Sequence, residues 1–171
     1  MREGIVGYIE NNFRKMSQFI QNYLRKIQIS LASGQATEHS YRPELRDLFA
    51  ELSSLSVINE PKGSEHGKPD FIFVKWEGKE ALPIAYGEAK DMHIGLEKIE
   101  KSEQLARYFW YAKLVLTNGI EFRFYKNGIR YGEPVLLGTK KWNDITIHEE
   151  NFGIFEDRFA DFLASPTDTI R

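Results

Sequence analysis

The stretch Gly67-Lys68-Pro69-Asp70-Phe71-Ile72-Phe73-Val74 decides the fold, together with Ile84-Ala85-Tyr86-Gly87-Glu88-Ala89-Lys90, which follows it after a polar turn. Both runs are rich in β-branched and aromatic residues, and the sequence Glu77-Gly78-Lys79-Glu80 between them is typical of a tight turn. The pattern predicts two antiparallel strands that form a hairpin. The end of the second strand then lies beside the beginning of the first.

Three charged residues fall at that open end of the hairpin. Asp70 begins the first strand, and Glu88 and Lys90 end the second. Because side chains alternate along a strand, Glu88 and Lys90 point to one face, about 7 Å apart, whereas Ala89 points to the other. Two carboxylates and one ammonium group are therefore predicted to converge.

Converging carboxylates suit a divalent cation. Carboxylate oxygens are hard ligands for Mg²⁺ or Mn²⁺, and such an ion can bind a phosphate oxygen and lower the pKa of a bound water. A lysine beside it can orient that water or offset the charge of the transition state. A simpler interpretation stays open at this point, in which Asp70 caps a turn and Glu88 and Lys90 form a solvated charge pair at a sheet edge.

A polar pair follows downstream. The segment 91–112 carries apolar residues at helical spacing and is predicted as one amphipathic helix. Within it Gln104 and Tyr108 are four residues apart, so both side chains lie on one face of the helix. In the simpler interpretation both are ordinary surface residues. In the functional interpretation they form hydrogen bonds with Lys90 or with a DNA backbone.

A third acid precedes the hairpin. The segment 37–46 opens a helix whose apolar stripe, traced back one turn, reaches Glu38. A carboxylate on a buried stripe is costly unless it is paired or binds a metal, so Glu38 is a candidate ligand. Pro43 leaves the start of this helix open, because a regular helix could begin only near it.

These residues together resemble the PD-(D/E)xK nuclease superfamily, with Pro69-Asp70 and Glu88-Ala89-Lys90 as its motif and Gln104 and Tyr108 as an accessory pattern. The chain is more closely similar to the N-terminal nuclease domain of bacterial type IIG and type ISP restriction-modification enzymes. The segments that carry this resemblance keep their order over about residues 36–125. They are Ala36-Thr37-Glu38-His39-Ser40-Tyr41-Arg42-Pro43, Asn59-Glu60-Pro61-Lys62, Gly67-Lys68-Pro69-Asp70-Phe71, Glu88-Ala89-Lys90-Asp91, Lys101-Ser102-Glu103-Gln104-Leu105 with Arg107-Tyr108, and Leu116-Thr117-Asn118-Gly119-Ile120-Glu121-Phe122.

The resemblance implies a Mg²⁺-dependent endodeoxyribonuclease of the type II/IIG restriction kind, which hydrolyses double-stranded DNA to 5′-phosphate and 3′-hydroxyl ends. Mn²⁺ is expected to substitute for Mg²⁺. Asp70, Glu88 and Glu38 would hold the metal, and Lys90 would assist the attacking water. The implied fold is an α/β (α+β) restriction-endonuclease-like core, in which a central mixed β-sheet is flanked by helices.

The chain departs from those enzymes in lacking an Asn-Pro-Pro-Tyr type motif and a cofactor loop, which N6-adenine methylation requires. We therefore expect cleavage without methylation, and a methyltransferase and target-recognition domain in the same chain or an associated one. Since cutting both strands of DNA needs two active sites, a transient homodimer is a further expected partner.

Composition narrows the class of protein. The 171 residues carry a net charge of −2 with 42% hydrophobic and 13% aromatic residues, which indicates one folded domain without the basic surface of a free-standing non-specific DNA binder. The sequence has no cysteine, so disulfides and thiolate zinc sites are excluded. It also shows neither a signal peptide nor a membrane-spanning apolar run, and we expect a cytoplasmic protein.

The order of predicted elements matches the implied fold. A long helix is predicted over residues 1–34, packed on the core or on a partner, and the nuclease core over residues 35–165. Within the core, strands are predicted over 113–117 and 121–125, followed by a hairpin through 130–137 and a last helix. Residues 166–171 are predicted as a linker-like tail.

Two alternatives remain open. One is a non-catalytic nuclease-like module for DNA binding or assembly, against which the intact Asp70, Glu88 and Lys90 argue. The other is a structure-specific repair or junction nuclease, which shares the chemistry and differs in its substrate. Basic pairs such as Lys140-Lys141 are interpreted as solvated charges.

Overall fold

Two helices form the N-terminal part of the chain. In the computed structural model, which describes residues 2–166, helix α1 spans Arg2–Ala32 and helix α2 spans Glu38–Ser53. α1 ends at the predicted glycine: Gly34 has φ +71°, and its N–H donates to the Leu31 carbonyl at 3.0 Å. The second half of α1 packs on the core, whereas Ile9 in its first half is 60% exposed.

Helix α2 begins before Pro43, which settles the start that the sequence left open. Thr37 precedes the helix in an extended conformation, and its N–H donates to the Ser40 hydroxyl at 3.2 Å. The proline lies inside the helix, where its missing N–H costs one hydrogen bond to the turn before it. Glu38 and Arg42 are consequently four residues apart on one helical face.

One mixed sheet forms the centre of the molecule, in the order β1-β2-β3-β4-β5-β6, with β7 also paired to β5. β3 and β4 run parallel, and the other described pairs are antiparallel. The strands are β1 Ser56–Asn59, β2 Phe71–Glu77, β3 Glu80–Ala89, β4 Lys113–Thr117, β5 Glu121–Lys126, β6 Ile129–Arg130 and β7 Val135–Leu136.

Helices cover both faces of this sheet. On one face α1, α2 and α5 (Phe152–Ala164, after a 3-10 turn at Glu149–Asn151) enclose a core rich in phenylalanine, into which Val115 of β4 points. On the other face α3 (Leu96–Glu100) and α4 (Glu103–Tyr108) pack over Leu114 and Leu116. The predicted class, a central mixed sheet flanked by helices, is confirmed.

The prediction of a single helix over 91–112 is wrong, because this segment contains two short helices, α3 and α4. Ser102 separates them: its hydroxyl donates to the Ile99 carbonyl at 2.6 Å and accepts the Leu105 N–H at 3.2 Å. This serine therefore ends one helix and caps the next. The apolar residues of this segment are buried together despite the break, since Leu96 and Leu105 pack in the same core.

Two features were not predicted. Strand β1 extends the sheet at one edge, and β8 (Gly138–Lys141) and β9 (Asp144–Ile147) form a separate two-stranded hairpin. No helix within residues 2–166 is long and apolar enough to cross a membrane. Of the predicted linker-like tail, residues 167–171 lie outside the described part of the chain.

Candidate active site

The β2–β3 hairpin brings the two predicted acids together. Phe71 pairs with Gly87 in its register, so Asp70 lies beside Glu88. The Asp70 N–H donates to Oε2 of Glu88 at 3.2 Å, and the Ala89 N–H donates to Oδ2 of Asp70 at 2.9 Å. Each carboxylate is thus held by the backbone of the opposite strand, at the end of the sheet.

Lys90 and the polar pair of α4 complete one side of the site. The Nζ atom of Lys90 lies 2.9 Å from Oε1 of Glu88 and 2.8 Å from Oε1 of Gln104. The Gln104 amide in turn donates to Oε1 of Glu88 at 3.4 Å and to the Tyr108 hydroxyl at 3.3 Å. Because Lys90 is held by two acceptors, its ammonium group has one defined position beside the acids.

Arg42 forms the other side of the site, and sequence reasoning did not single it out. Its guanidinium lies 2.6 Å from Oδ1 of Asp70, 3.0 Å from Oε1 of Glu38 and 3.5 Å from Oε1 of Glu60. Its side chain is 11% exposed, and its Nε atom is buried with no hydrogen-bond partner among the described residues. The spacing of four between Glu38 and Arg42 was the one signal available in the sequence.

The structure places Glu38 next to the pair of acids through Arg42. Within residues 2–166 no three aspartate, glutamate or histidine side chains stand close enough together to hold a metal ion. Of the three predicted acids, Asp70 and Glu88 are the two whose carboxylates lie side by side. The guanidinium of Arg42 lies between Glu38 and Asp70, where a shared cation would have to be bound.

The balance of charge fits a divalent cation. Glu38, Asp70 and Glu88 form ion pairs with two cations, Arg42 and Lys90, so the fully ionised cluster has one carboxylate more than it has cations, and Asp70 and Glu88 are buried. Burial raises the pKa of Asp70, and burial together with the Asp70 charge raises the pKa of Glu88 to about 7. Two carboxylates that resist ionisation side by side, and that present oxygen ligands, form a site that a hard cation stabilises.

The loop that leads into Asp70 is packed on α4. Gly67 has φ +112°, and a β-carbon there would lie 2.6 Å from Cε1 of Tyr108. The hydroxyls of Ser64 and Tyr111 are 2.8 Å apart, and the rings of His66 and Trp110 stack at 4.5 Å. Tyr108 therefore has two contacts that matter for the site, its hydroxyl with Gln104 and its ring with this loop.

Comparison with known proteins supports the fold. No family model matches the chain, and no curated protein matches it. Among solved structures, one chain of the cryo-EM structure of a DrdV–DNA complex aligns with a TM-score of 0.67 at 17% identity, over 85% of this chain and 98% of that chain. The chain therefore shares its backbone fold with that chain. At this identity the similarity concerns the backbone, and the interpretation of the side chains rests on their own geometry.

Proposed function

We propose that this chain is a divalent-metal-dependent DNA endonuclease, the cleavage domain of a restriction-modification enzyme, which hydrolyses phosphodiester bonds to 5′-phosphate and 3′-hydroxyl ends. The observation that supports the proposal most strongly is the arrangement of Asp70, Glu88 and Lys90, in which two buried carboxylates and an ammonium group meet at one sheet end. DNA as the substrate is supported by the similar fold in the DrdV–DNA complex.

Asp70 and Glu88 would hold Mg²⁺ or Mn²⁺, and Glu38 would complete the ligand set. When bound, the cation polarises the scissile phosphate and lowers the pKa of a bound water. Lys90, fixed by Glu88 and Gln104, presents its ammonium group to the attacking water and to the charge that develops on the phosphate. Gln104 and Tyr108 are positioning residues, because Gln104 contacts Lys90 and Glu88 and Tyr108 contacts Gln104.

Arg42 is the third part of this mechanism. Its guanidinium forms ion pairs with both Asp70 and Glu38, which keeps both carboxylates directed at the site. For Glu38 to become a ligand, Arg42 has to give up at least one of these contacts. Glu60, at 3.5 Å and with a side chain that is 61% exposed, offers it an alternative partner.

A net charge of −2 favours recognition of the DNA sequence by other domains. Contacts with DNA phosphates supply most non-specific affinity, and this chain has no excess of basic residues for them. We therefore propose that a methyltransferase and target-recognition domain, in the same or an associated chain, brings the cleavage domain to its DNA.

Cleavage of supercoiled plasmid at high protein concentration, in Mg²⁺ or Mn²⁺, tests the proposal. The wild type should nick or linearise the plasmid, and Asp70→Asn and Lys90→Met should lower the rate by at least about 100-fold, as expected for a metal ligand and an electrostatic catalyst. Asp47→Asn, which removes an exposed acid of α2, and Lys79→Met, in the far turn of the hairpin, serve as matched controls.

Calorimetric titration with Mn²⁺ separates the two roles. Asp70→Asn should abolish binding of Mn²⁺, whereas Lys90→Met should retain it. If no variant and no wild-type preparation cuts DNA or binds Mn²⁺, the chain is a non-catalytic nuclease-like module. Cleavage restricted to branched or nicked DNA would instead identify a structure-specific nuclease.

A further inference from the structure

The tip of the β8–β9 hairpin carries an aromatic residue that is not packed into the core of the chain. Trp142 is 84% exposed, more than any other large apolar side chain among the described residues. Lys141 pairs with Asp144, so Trp142 and Asn143 form a two-residue turn. An indole in this position buries little apolar surface and contributes little to the stability of the fold.

The backbone at Trp142 is also unfavourable for a bulky residue. Its φ is +57°, in the left-handed region that glycine, asparagine or aspartate usually occupies in such turns. Glycine at this position would relieve the strain. Neither packing nor turn geometry therefore accounts for a tryptophan here.

Two lysines precede this tryptophan. Lys140 and Lys141 are consecutive in β8, and neither lies within 4.0 Å of a carboxylate in the described part of the chain. Lys141 is exposed, and Lys140 is half-buried at the mouth of a cleft. The tip thus combines two cations without partners and one aromatic side chain.

That cleft is lined by residues of the hairpin and by two residues, Tyr41 and Asp91, that are next in sequence to residues of the candidate active site. It has a volume of about 240 Å³, and Lys140 and Asn143 line it together with Asp91 and His93. Asp91 directly follows Lys90, so the strand end that bears the proposed catalytic lysine continues into the wall of the cleft. Tyr41, next to Arg42 in α2, lines the same cleft.

Hydrogen bonds hold the hairpin on α1. The Ile145 N–H donates to Oε1 of Gln28 at 2.8 Å, and the Gln28 amide donates to the Asn143 carbonyl at 3.4 Å. A β-carbon at Gly138 would lie 2.6 Å from Cγ2 of Ile145, so the start of β8 packs closely against β9. An element fixed on α1 in this way can contact a partner without a large loss of conformational entropy.

We propose that the β8–β9 tip is a DNA-contact element beside the active site, in which Lys140 and Lys141 bind backbone phosphates and Trp142 inserts against the bases in a groove. This inference rests on the proposed nuclease function. A two-stranded ribbon fits a groove of the duplex, and apolar side chains at such tips contact base edges or wedge between base steps. Consecutive unpaired lysines beside a phosphodiesterase site match phosphate better than they match a protein surface.

Affinity for a short fluorescein-labelled duplex, measured by anisotropy in Ca²⁺ at several salt concentrations, tests this element. Lys140→Ala/Lys141→Ala should lower the slope of log affinity against log salt by about 1 to 2, since each lost phosphate contact removes about 0.9. Trp142→Ala should weaken binding by about fivefold or more, as the loss of an aromatic contact with bases does.

Trp142→Gly separates binding from folding. Glycine relieves the positive φ, so this variant should melt at or above the wild-type temperature and still lose about fivefold or more in DNA affinity. The matched controls are Trp76→Ala and Lys75→Ala/Lys79→Ala, at the β2–β3 turn about 20 Å along the strand from Asp70. Trp76 is 53% exposed, so it controls for a general effect of removing surface tryptophan.

The outcomes distinguish this inference from the proposed function. Weaker binding by the hairpin variants, with the controls unchanged, supports the contact element. Equal affinity in wild type and hairpin variants, in a protein that cuts plasmid, overturns the contact element alone and leaves the hairpin tip to a partner protein. An equal loss in hairpin variants and controls overturns it as well. A wild type that neither binds nor cuts DNA overturns both.

Discussion

At the scale of single residues, Arg42 compensates the charge of the buried acids. Its guanidinium contacts Asp70 at 2.6 Å and Glu38 at 3.0 Å, and the Asp70 side chain is only 10% exposed. The cost of two adjacent buried carboxylates is therefore lowered by a cation supplied by the chain. A divalent metal ion would supply the same compensation with more charge.

We expect Arg42→Gln to destabilise the metal-free protein by about 3 kcal/mol, because removing one partner leaves a buried charge uncompensated. Mn²⁺ should restore more stability to this variant than to the wild type, since it no longer competes with the guanidinium for Asp70. Urea denaturation with and without Mn²⁺ measures both effects. Arg46→Gln is the control, because within residues 2–166 Arg46 pairs only with the neighbouring exposed Asp47. A variant as stable as the control would contradict the compensating role.

Glu156 of α5 is a second buried acid, far from the site in sequence. The residue is 9% exposed, and its Oε1 atom has no partner among the described residues. Burial, with a smaller contribution from Asp157, raises the pKa of Glu156 to about 7. A raised folded-state pKa means that the stability present below the unfolded pKa, near 4.5, is lost as the pH rises to about 7.

Glu156→Gln removes this titration. We expect the variant to be more stable than the wild type by about 1–2 kcal/mol at pH 8, and to have no such advantage at pH 4.5, where the native carboxyl is protonated. Chemical denaturation in chelator at the two pH values checks the difference. Asp161→Asn, an exposed acid on the same helix, should show no such pH dependence. An advantage of equal size at both pH values would show that the cause is packing and not charge.

At the scale of elements, the β2–β3 hairpin and the loop before it set the position of Asp70. The loop backbone at Gly67 lies against the ring of Tyr108, and the same tyrosine contacts Gln104 through its hydroxyl. α4 therefore supports both the acid and the lysine of the site. A change in this contact should alter stability and metal binding together.

Gly67→Ala tests this coupling. The new methyl group would lie 2.6 Å from Tyr108 at a positive φ, so we expect a loss of about 2–3 kcal/mol and weaker Mn²⁺ binding. Gly78→Ala is the matched control: Gly78 has φ +61° with nothing within 4 Å of its β-carbon position, so only the backbone strain of about 1 kcal/mol remains. Denaturation and Mn²⁺ calorimetry should separate the two variants. Equal losses, with unchanged Mn²⁺ affinity, would show that the Tyr108 contact does not position Asp70.

At the scale of the whole molecule, one chain provides one set of Asp70, Glu88 and Lys90 at one end of its sheet. A duplex has two backbones of opposite direction. Under the proposed nuclease function, each backbone needs its own set of these groups, so a double-strand break requires two copies of the domain or two binding events.

We expect the rate of plasmid linearisation to rise more steeply than linearly with protein concentration, and activity to be higher in Mn²⁺ than in Mg²⁺. Initial rates over a wide range of protein concentration, with nicked and linear products counted separately, provide the measurement. Nicking serves as the internal control, because it needs one active site and should stay linear. A linear dependence for both products would argue against cutting by a dimer.

Local patterns were sufficient for much of this architecture. β4 was predicted at its observed bounds, the β2–β3 hairpin turns at the predicted glycine, and α1 ends before Gly34. The helix over 91–112 failed because the helical spacing of its apolar residues continues through a break that a single serine hydroxyl makes. β8–β9 was not predicted, because its short strands are mostly exposed and carry little apolar alternation.

The sequence by itself determined which residues stand at the open end of the hairpin, because strand alternation and a tight turn are local properties. It could not determine what faces them. Arg42 and Gln104 come from separate helices, and only the packing of α2 and α4 on opposite faces of the sheet brings both side chains to one sheet end. The same holds for Lys140 and Asn143, which line one cleft with Asp91 and His93 because the hairpin packs on α1. Contacts between distant segments follow from how whole surfaces are buried, and no short stretch of sequence carries that information.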